Sequence, residues 1–306
     1  FYFSNTNYDW QQPINKRTLK AIRILINSNI FISLSAVALT VATQIQLGLN
    51  PQWHPYLFLI FFATLFEYNL HRLITVLTNT DALNSDKHNW VKDKLNWFYL
   101  LVFLSVLGFA ISVIEAKLKV LLTLAPIAGL TLLYSTPLSK NAKVLFRLRQ
   151  IPYLKIFLIS FVWATVTILL PVIHSEKAYN NFHILTMIIE RFLFVFAITI
   201  PFDICDMNAD SQTELKTIPL FIGEKRWIYG SIIVLVLFFA VSIIHYSITN
   251  QWFILGAFSV SFLTTIVFLT NERIRNLPLY YYGILDGTML LQGVLVLGFH
   301  YINFNF

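Results

Sequence analysis

Charged side chains are scarce in this sequence: only 12% of the 306 residues are Asp, Glu, Lys or Arg. Cysteine is nearly absent, with Cys205 as the single one, so an intrachain disulfide and a cysteine-based metal cluster are both excluded. Hydrophobic residues instead make up 57% of the chain, and its mean hydropathy is +0.67. Because so few polar groups could not cover a soluble globule of this size, the composition predicts an integral membrane protein.

Long apolar runs recur along the whole chain, and about twenty apolar residues are enough to cross the hydrocarbon core as a helix. The sequence predicts an all-α, polytopic membrane helical bundle of about nine transmembrane helices, in a single domain over residues 1–306. The predicted spans lie at roughly 24–48, 54–78, 96–114, 119–135, 153–172, 183–202, 227–248, 252–270 and 279–302.

Basic residues give the chain a formal net charge of +7, but they lie in short segments between apolar runs, as they do at a membrane face. We therefore expect membrane lipids as partners and no nucleic acid. Eighteen of the 22 Lys and Arg residues fall in one set of connections, and three fall in the other set. This asymmetry predicts that the N-terminus and the acid-rich connection after residue 202 face the cytoplasm, in a bacterial inner membrane.

Three carboxylates follow the sixth apolar run: Asp203, Asp206 and Asp210. Their spacing of i, i+3 and i+7 places them on one stripe of a helix, where like charges repel unless a cation sits among them. Mg²⁺ suits such a place, because it keeps several waters and is held by one or two carboxylates plus substrate phosphates. The alternative is a solvated, acidic helix end.

A basic cluster lies around the start of the fifth predicted span and includes Arg147, Arg149 and Lys155. Guanidinium and ammonium groups at this position could bind a phosphoryl group. The positive-inside distribution of charge is an alternative explanation for the same residues. The charge bias predicts that this cluster and the three aspartates share one membrane face, as a metal-diphosphate site requires.

Other ionisable residues lie inside the predicted spans, where they are costly and normally paired or turned toward a cavity. Glu190 and Arg191 lie in the sixth span, roughly 19 Å deeper than Asp203 at the helical rise. A salt bridge or hydrogen bond between helices is the structural explanation for such residues. His183 flanks a connection on the other face and is interpreted as an interfacial residue, not a metal ligand.

Several blocks in the same order resemble the UbiA superfamily of intramembrane prenyltransferases. The aspartate stripe with Lys216-Thr217-x-Pro219 resembles the second Asp-rich motif of that family, and Tyr134-Ser-Thr-Pro-Leu with Pro152-Tyr-Leu-Lys155 resembles its fourth and fifth helices. The resemblance implies a helical bundle around a central cavity, in which two Asp-rich motifs hold Mg²⁺ on an isoprenoid diphosphate. It also implies that a prenyl cation leaves the diphosphate and is captured by an acceptor, often aromatic.

The first Asp-rich motif of the family is degraded in this chain. The corresponding stretch keeps Asn69 but has Leu70 and Leu73 where the family has carboxylates, so Arg72 could supply positive charge toward a diphosphate. The expected site therefore has Asp203, Asp206 and Asp210 as catalytic and Mg²⁺-binding residues. The expected substrate-binding residues are Asn69, Arg72, Tyr134, Arg149, Lys155 and Lys216.

Two functions remain open at this point. The retained aspartates favour a UbiA-like prenyltransferase that transfers an isoprenoid group from a prenyl diphosphate to an aromatic or lipid acceptor with Mg²⁺. The degraded first motif favours a non-catalytic UbiA-like subunit of a larger membrane complex, which binds a lipid or quinone and contacts other membrane subunits.

Overall fold

A computed structural model describes residues 16–78, 94–135, 154–212 and 223–305, and every regular element in these ranges is helical. A short π-helical turn, Tyr280–Leu285, leads directly into the last helix. The helices are α1 (Lys16–Asn27), α2 (Ile30–Gln46), α3 (Pro55–Thr78), α4 (Leu95–Glu115), α5 (Leu118–Ser135), α6 (Leu154–Ser175), α7 (Asn181–Gln212), α8 (Glu224–Thr249), α9 (Trp252–Thr270), α10 (Glu272–Arg275) and α11 (Asp286–Asn305).

The predicted all-α membrane bundle is confirmed, but the count of nine spans is only approximate. Within the described ranges, seven helices are long and apolar enough to cross a membrane, and the bent pair of α1 and α2 would be an eighth. The fourth predicted span corresponds to α5, a helix of 18 residues. Pro126 lies inside this helix, and its ring removes one backbone hydrogen bond.

The first predicted span, 24–48, is broken in the structure. Its two halves, α1 and α2, meet at an angle of 71°. The break falls at Asn29, whose φ of 62° and ψ of 10° are left-handed. Asn adopts this conformation more readily than most residues, and the average hydropathy of an apolar run does not reveal such a local change in direction.

Neighbouring helices close the bundle into a ring. Each helix from α6 to α9 packs on the next one along the chain, α9 packs on α11, and α11 packs on α2, which also contacts α3 and α6. At the closest approach of α11 to α2, a Cβ on Gly293 would lie 2.6 Å from the carbonyl carbon and oxygen of Ala38. Glycine at position 293 therefore sets the distance between these two helices.

Antiparallel neighbours place the ends of the helices on two faces. The C-terminal end of α7, which carries Asp203, shares a face with the start of α6 and the start of α8. We call this the acid-bearing face. The opposite face holds the end of α2 and the start of α7. Which face meets the cytoplasm stays a prediction.

Candidate substrate and metal site

The acidic stripe lies on one uninterrupted helix. α7 continues from Asn181 to Gln212 through Pro201, so the backbone positions of Asp203, Asp206 and Asp210 follow the helical register that the sequence predicted. Asp203 is only 6% exposed. The side chains of Asp206 and Asp210 lie outside the described part of the chain.

Lys155 forms an ion pair with Asp203. It stands in the first turn of α6, and its Nζ lies 3.2 Å from Oδ1 of Asp203. The lysine side chain is 26% exposed and the aspartate side chain 9% exposed. The fold thus joins one residue from the predicted basic cluster to one residue from the predicted acidic stripe.

Asn69, by contrast, is fully engaged in contacts between helices. Its Oδ1 accepts a hydrogen bond of 2.8 Å from Nδ2 of Asn29, and its Nδ2 donates one of 3.2 Å to the carbonyl of Ser28. Its exposure is 0%. Both ends of the amide therefore hold the break between α1 and α2, and its predicted role in substrate binding stays a prediction.

Arg72 lies one turn further along α3 and contacts the same break. Its NH1 donates a hydrogen bond of 2.9 Å to the carbonyl of Asn27, the last residue of α1. A cation at this position satisfies a terminal carbonyl and opposes the negative end of the helix dipole. Asp286, Tyr282 and Tyr68 lie close enough to interact electrostatically with the guanidinium.

Three other predicted substrate-binding residues receive no side-chain geometry. Tyr134 belongs to the last turn of α5, but its side chain lies outside the described part of the chain. Arg149 and Lys216 fall in the ranges 136–153 and 213–222, which the structure does not describe. Their roles stay predictions.

Aromatic rings line the bundle beside the acidic stripe, which the sequence could not select from its 28 Phe and 14 Tyr residues. Phe202 precedes Asp203, and its ring centroid lies 5.7 Å from that of Tyr281 and 5.6 Å from that of Tyr282. Deeper in the bundle, Nε1 of Trp163 donates to the hydroxyl of Tyr68 at 3.3 Å. Such ring faces can stabilise a cation.

The donor set on α7 suits one hard divalent cation. Carboxylates recur there on one face, and the buried Asp203 already attracts the cationic group of Lys155. α3 brings no carboxylate at Leu70 or Leu73, and Asn69 is occupied. The predicted Mg²⁺ site therefore depends on the carboxylates of α7 and stays a prediction. Among the side chains that the structure describes, no three His, Cys, Asp or Glu are arranged to hold a metal ion, and those of Asp206 and Asp210 are not included.

Sequence reasoning missed the partners that hold the α3 residues. Asn29 and Ser28 sit within an apolar run, where a pair of polar residues is a signal for a break or a hydrogen bond between helices.

The fold is similar to solved structures of low sequence identity. A digeranylgeranylglyceryl phosphate synthase matches with a TM-score of 0.55 and 15% identity, over 92% of this chain and 98% of the other. A UbiA homologue from Archaeoglobus fulgidus bound to DMAPP and Mg²⁺ matches with a TM-score of 0.55 and 13% identity, over 90% and 98% of the two chains. The same homologue bound to GPP and Mg²⁺ gives a TM-score of 0.56 and 12% identity, over 90% and 99%.

Among curated proteins, none matches the chain. The model of the UbiA prenyltransferase family matches residues 92–278. The matched segment begins after α3 and contains both members of the Lys155–Asp203 pair. Since it covers more than half of the sequence and agrees with the fold, this chain belongs to the UbiA prenyltransferase family.

Proposed function

We propose that this protein is an integral membrane prenyltransferase that transfers an isoprenoid group from a prenyl diphosphate to an aromatic or lipid acceptor, with Mg²⁺. The observation that carries the proposal is the pairing of Lys155 with Asp203 at 3.2 Å, at the start of the acidic stripe of α7. This pair brings together a phosphate-binding cation and a metal-binding carboxylate at one end of the bundle.

The reaction breaks the carbon–oxygen bond between the prenyl group and the diphosphate, whose oxygen keeps the electron pair. A bound Mg²⁺ would neutralise charge on the diphosphate oxygens as that bond breaks. Asp203, with Asp206 and Asp210, would hold the metal, and Lys155 would turn from Asp203 toward a phosphate oxygen. The acceptor then forms a bond to the prenyl carbon and releases a proton.

The aromatic residues near the stripe have a separate task. The rings of Phe202, Tyr281 and Tyr282 present π-faces that can stabilise the developing allylic cation. The surrounding apolar helices exclude water, which would otherwise capture the cation. The length of the prenyl group and the identity of the acceptor would be set by the space that these side chains leave.

A specific observation favours the second candidate, a non-catalytic subunit that binds a lipid or quinone in a larger membrane complex. Asn69 and Arg72, the remnants of the first motif, both bond to backbone or side-chain groups at the α1–α2 break. In a protein of this kind, Asp203 would serve as a structural partner of Lys155, and no metal would be needed.

The test compares chemistry with protein abundance. Purified protein in detergent is incubated with labelled prenyl diphosphates of several lengths, with and without Mg²⁺, and diphosphate release and prenylated products are measured. We expect Mg²⁺-dependent turnover in the wild type and its loss, at normal abundance, in Asp203→Asn. Glu176→Gln is the matched control, because Glu176 is an exposed acid on the opposite face.

The opposite pattern would favour the subunit. A wild type without activity in every combination, together with reduced membrane abundance of Asp203→Asn, would contradict the enzymatic proposal. In that case Asp203 contributes to assembly through Lys155 and not to catalysis.

A further inference from the structure

A second polar cluster lies in the half of the bundle nearest the opposite face, far from the candidate site. It joins residues of α7 and α8 to the end of α2, and three of its members can carry a mobile proton: His183, His245 and Glu190. His245 is 0% exposed and Glu190 is 1% exposed, whereas His183 is partly exposed. The cluster therefore runs from the membrane interface into the buried interior.

The contact at the outer end of the cluster determines the position of one hydrogen atom. Nε2 of His183 lies 3.0 Å from the backbone carbonyl of Gln46. A carbonyl oxygen only accepts, so Nε2 of His183 must carry a hydrogen. Nδ1 of the same ring lies 2.7 Å from Nε2 of His245, and a contact this short between two ring nitrogens needs a hydrogen between them.

The inner end fixes the direction of the remaining bonds. Arg191 donates to Oε1 of Gln46 at 3.0 Å, so the amide nitrogen of Gln46 faces the hydroxyl of Tyr246 and donates to it. That hydroxyl in turn donates to Oε2 of Glu190 at 3.0 Å. Oε1 of Glu190 is left facing Nδ1 of His245 at 2.9 Å, a contact that also needs a hydrogen.

A count of the hydrogens shows that the cluster holds one proton more than the two neutral imidazole rings supply. Three contacts need a hydrogen: the first at the carbonyl of Gln46, the second between the two histidines, and the third between His245 and Glu190. Two neutral imidazoles and an ionised carboxylate supply only two. Without the third, two lone pairs would face each other at 2.7 Å or at 2.9 Å.

We propose that His183, His245 and Glu190 form a proton-binding relay that holds one proton and exchanges it with water at the opposite face. The proton can rest on Oε1 of Glu190, on His245 as a doubly protonated ring, or on His183. Each position keeps all three contacts, because the hydrogen between the rings shifts to the other nitrogen as the proton moves. No bond between heavy atoms changes.

The relay is open at one end only. Arg191 is held by the carbonyl of Leu39 at 3.1 Å and by Oγ1 of Thr167 at 3.4 Å, and a guanidinium does not release a proton at physiological pH. The titratable or charged groups that face the relay in the described part of the chain are Arg191 on α7 and Tyr246 on α8. The groups contributed by α2 and α6 are the uncharged Gln46 and Thr167. The proton therefore enters and leaves through His183.

Loss of the proton should weaken the contacts between the helices that the cluster joins. At alkaline pH the two facing acceptors repel, and the contacts between α2, α7 and α8 weaken. An amide at position 190 would remove this sensitivity, since it keeps a hydrogen toward His245 that cannot dissociate. Stability that depends on a bound proton is present at lower pH and is lost as the pH rises.

The test measures thermal unfolding of the full chain in a neutral detergent between about pH 6 and about pH 10, the range in which histidines and buried carboxyl groups lose protons. We expect the wild type and the control His300→Gln, a histidine of α11 outside the cluster, to lose thermal stability at the alkaline end. Glu190→Gln should lose clearly less. An equal alkaline loss in the wild type and in Glu190→Gln would overturn the relay.

A second measurement decides the question if Glu190→Gln does not fold. Nitrogen NMR of the ¹⁵N-histidine-labelled wild type reports which ring nitrogens carry hydrogen, and infrared spectra report a protonated carboxyl group. The relay predicts, at about pH 7, either a doubly protonated His183 or His245, or a protonated buried carboxyl. Two neutral rings with no protonated carboxyl group would refute it.

Discussion

Replacing Lys155 by Met tests the ion pair between α6 and the acid-bearing end of α7. The change keeps most of the length and apolar volume of the side chain but removes the ammonium group that lies 3.2 Å from Asp203. Asp203 is then left nearly buried, with its charge no longer opposed by this cation.

The two partners are not buried equally, and this inequality sets the expected magnitudes. At an effective dielectric constant of about 20, two charges 3.2 Å apart attract by about 5 kcal/mol before desolvation is subtracted. Removing one member of a buried pair costs roughly 3 to 5 kcal/mol. We expect Lys155→Met to lower the free energy of unfolding by about 3 kcal/mol, because the Asp203 side chain is only 9% exposed. Asp203→Asn should cost about 1 kcal/mol, since the more exposed Lys155 can turn its ammonium to water.

The assay is denaturant unfolding in detergent micelles of the wild type, both single variants and the double variant Lys155→Met with Asp203→Asn. We expect the double variant to be more stable than Lys155→Met alone, because it removes the stranded charge. Added Mg²⁺ should stabilise Lys155→Met more than the wild type, since a metal replaces the missing cation. Strictly additive losses, with no effect of Mg²⁺, would refute the reasoning.

Three further outcomes follow from other contacts. Asn69→Ala should lower the free energy of unfolding by about 2 kcal/mol, because it strands the amide of Asn29 and the carbonyl of Ser28 inside the bundle; unchanged unfolding would contradict this. Gly293→Ala should destabilise the α2–α11 contact by about 1 to 3 kcal/mol, whereas Gly298→Ala on the same helix meets no atom within 4 Å and should not; equal thermal shifts in the two variants would exclude the steric explanation. Burial, and secondarily Lys117, lowers the pKa of His54. The stability that its neutral form contributes is therefore present above its ordinary pKa of 6.5 and is lost as the pH falls below that value. His54→Gln should reduce the acid-induced loss of thermal stability, and the same loss in this variant as in the wild type would show that His54 is not responsible.

Much of the fold could be predicted from the hydrophobic runs, because backbone groups in a membrane must form their hydrogen bonds within a helix. The spans that became α6, α8 and α9 were predicted to within three residues at each end, and the start of α7 was predicted to within two. The break at Asn29 was not predicted, since one left-handed residue changes the direction of the chain without changing its average hydropathy.

The site was predictable to the extent that its chemistry lies along the chain. The spacing from Asp203 to Asp210 predicts a helical stripe. The contact of Asp203 with Lys155, however, joins residues 48 positions apart and is not visible in any local pattern. The relay could not be predicted from the sequence. Glu190 and Arg191 are adjacent along the chain, yet Glu190 bonds to α8 and Arg191 bonds to the end of α2. Which groups a buried charge meets depends on helix rotation, and the hydrophobic pattern does not determine it.

The length of α5 has a consequence for how the bundle stands in the membrane. Its 18 residues, Leu118–Ser135, span about 27 Å at the helical rise, slightly less than a hydrocarbon core of about 30 Å. A helix of this length crosses the core only when its axis stays close to the membrane normal, whereas a longer helix can tilt. α5 packs directly on α6, whose first turn holds Lys155. The length of α5 therefore limits how far the neighbouring helix that carries the ion pair can tilt, and a thinner membrane relaxes that limit.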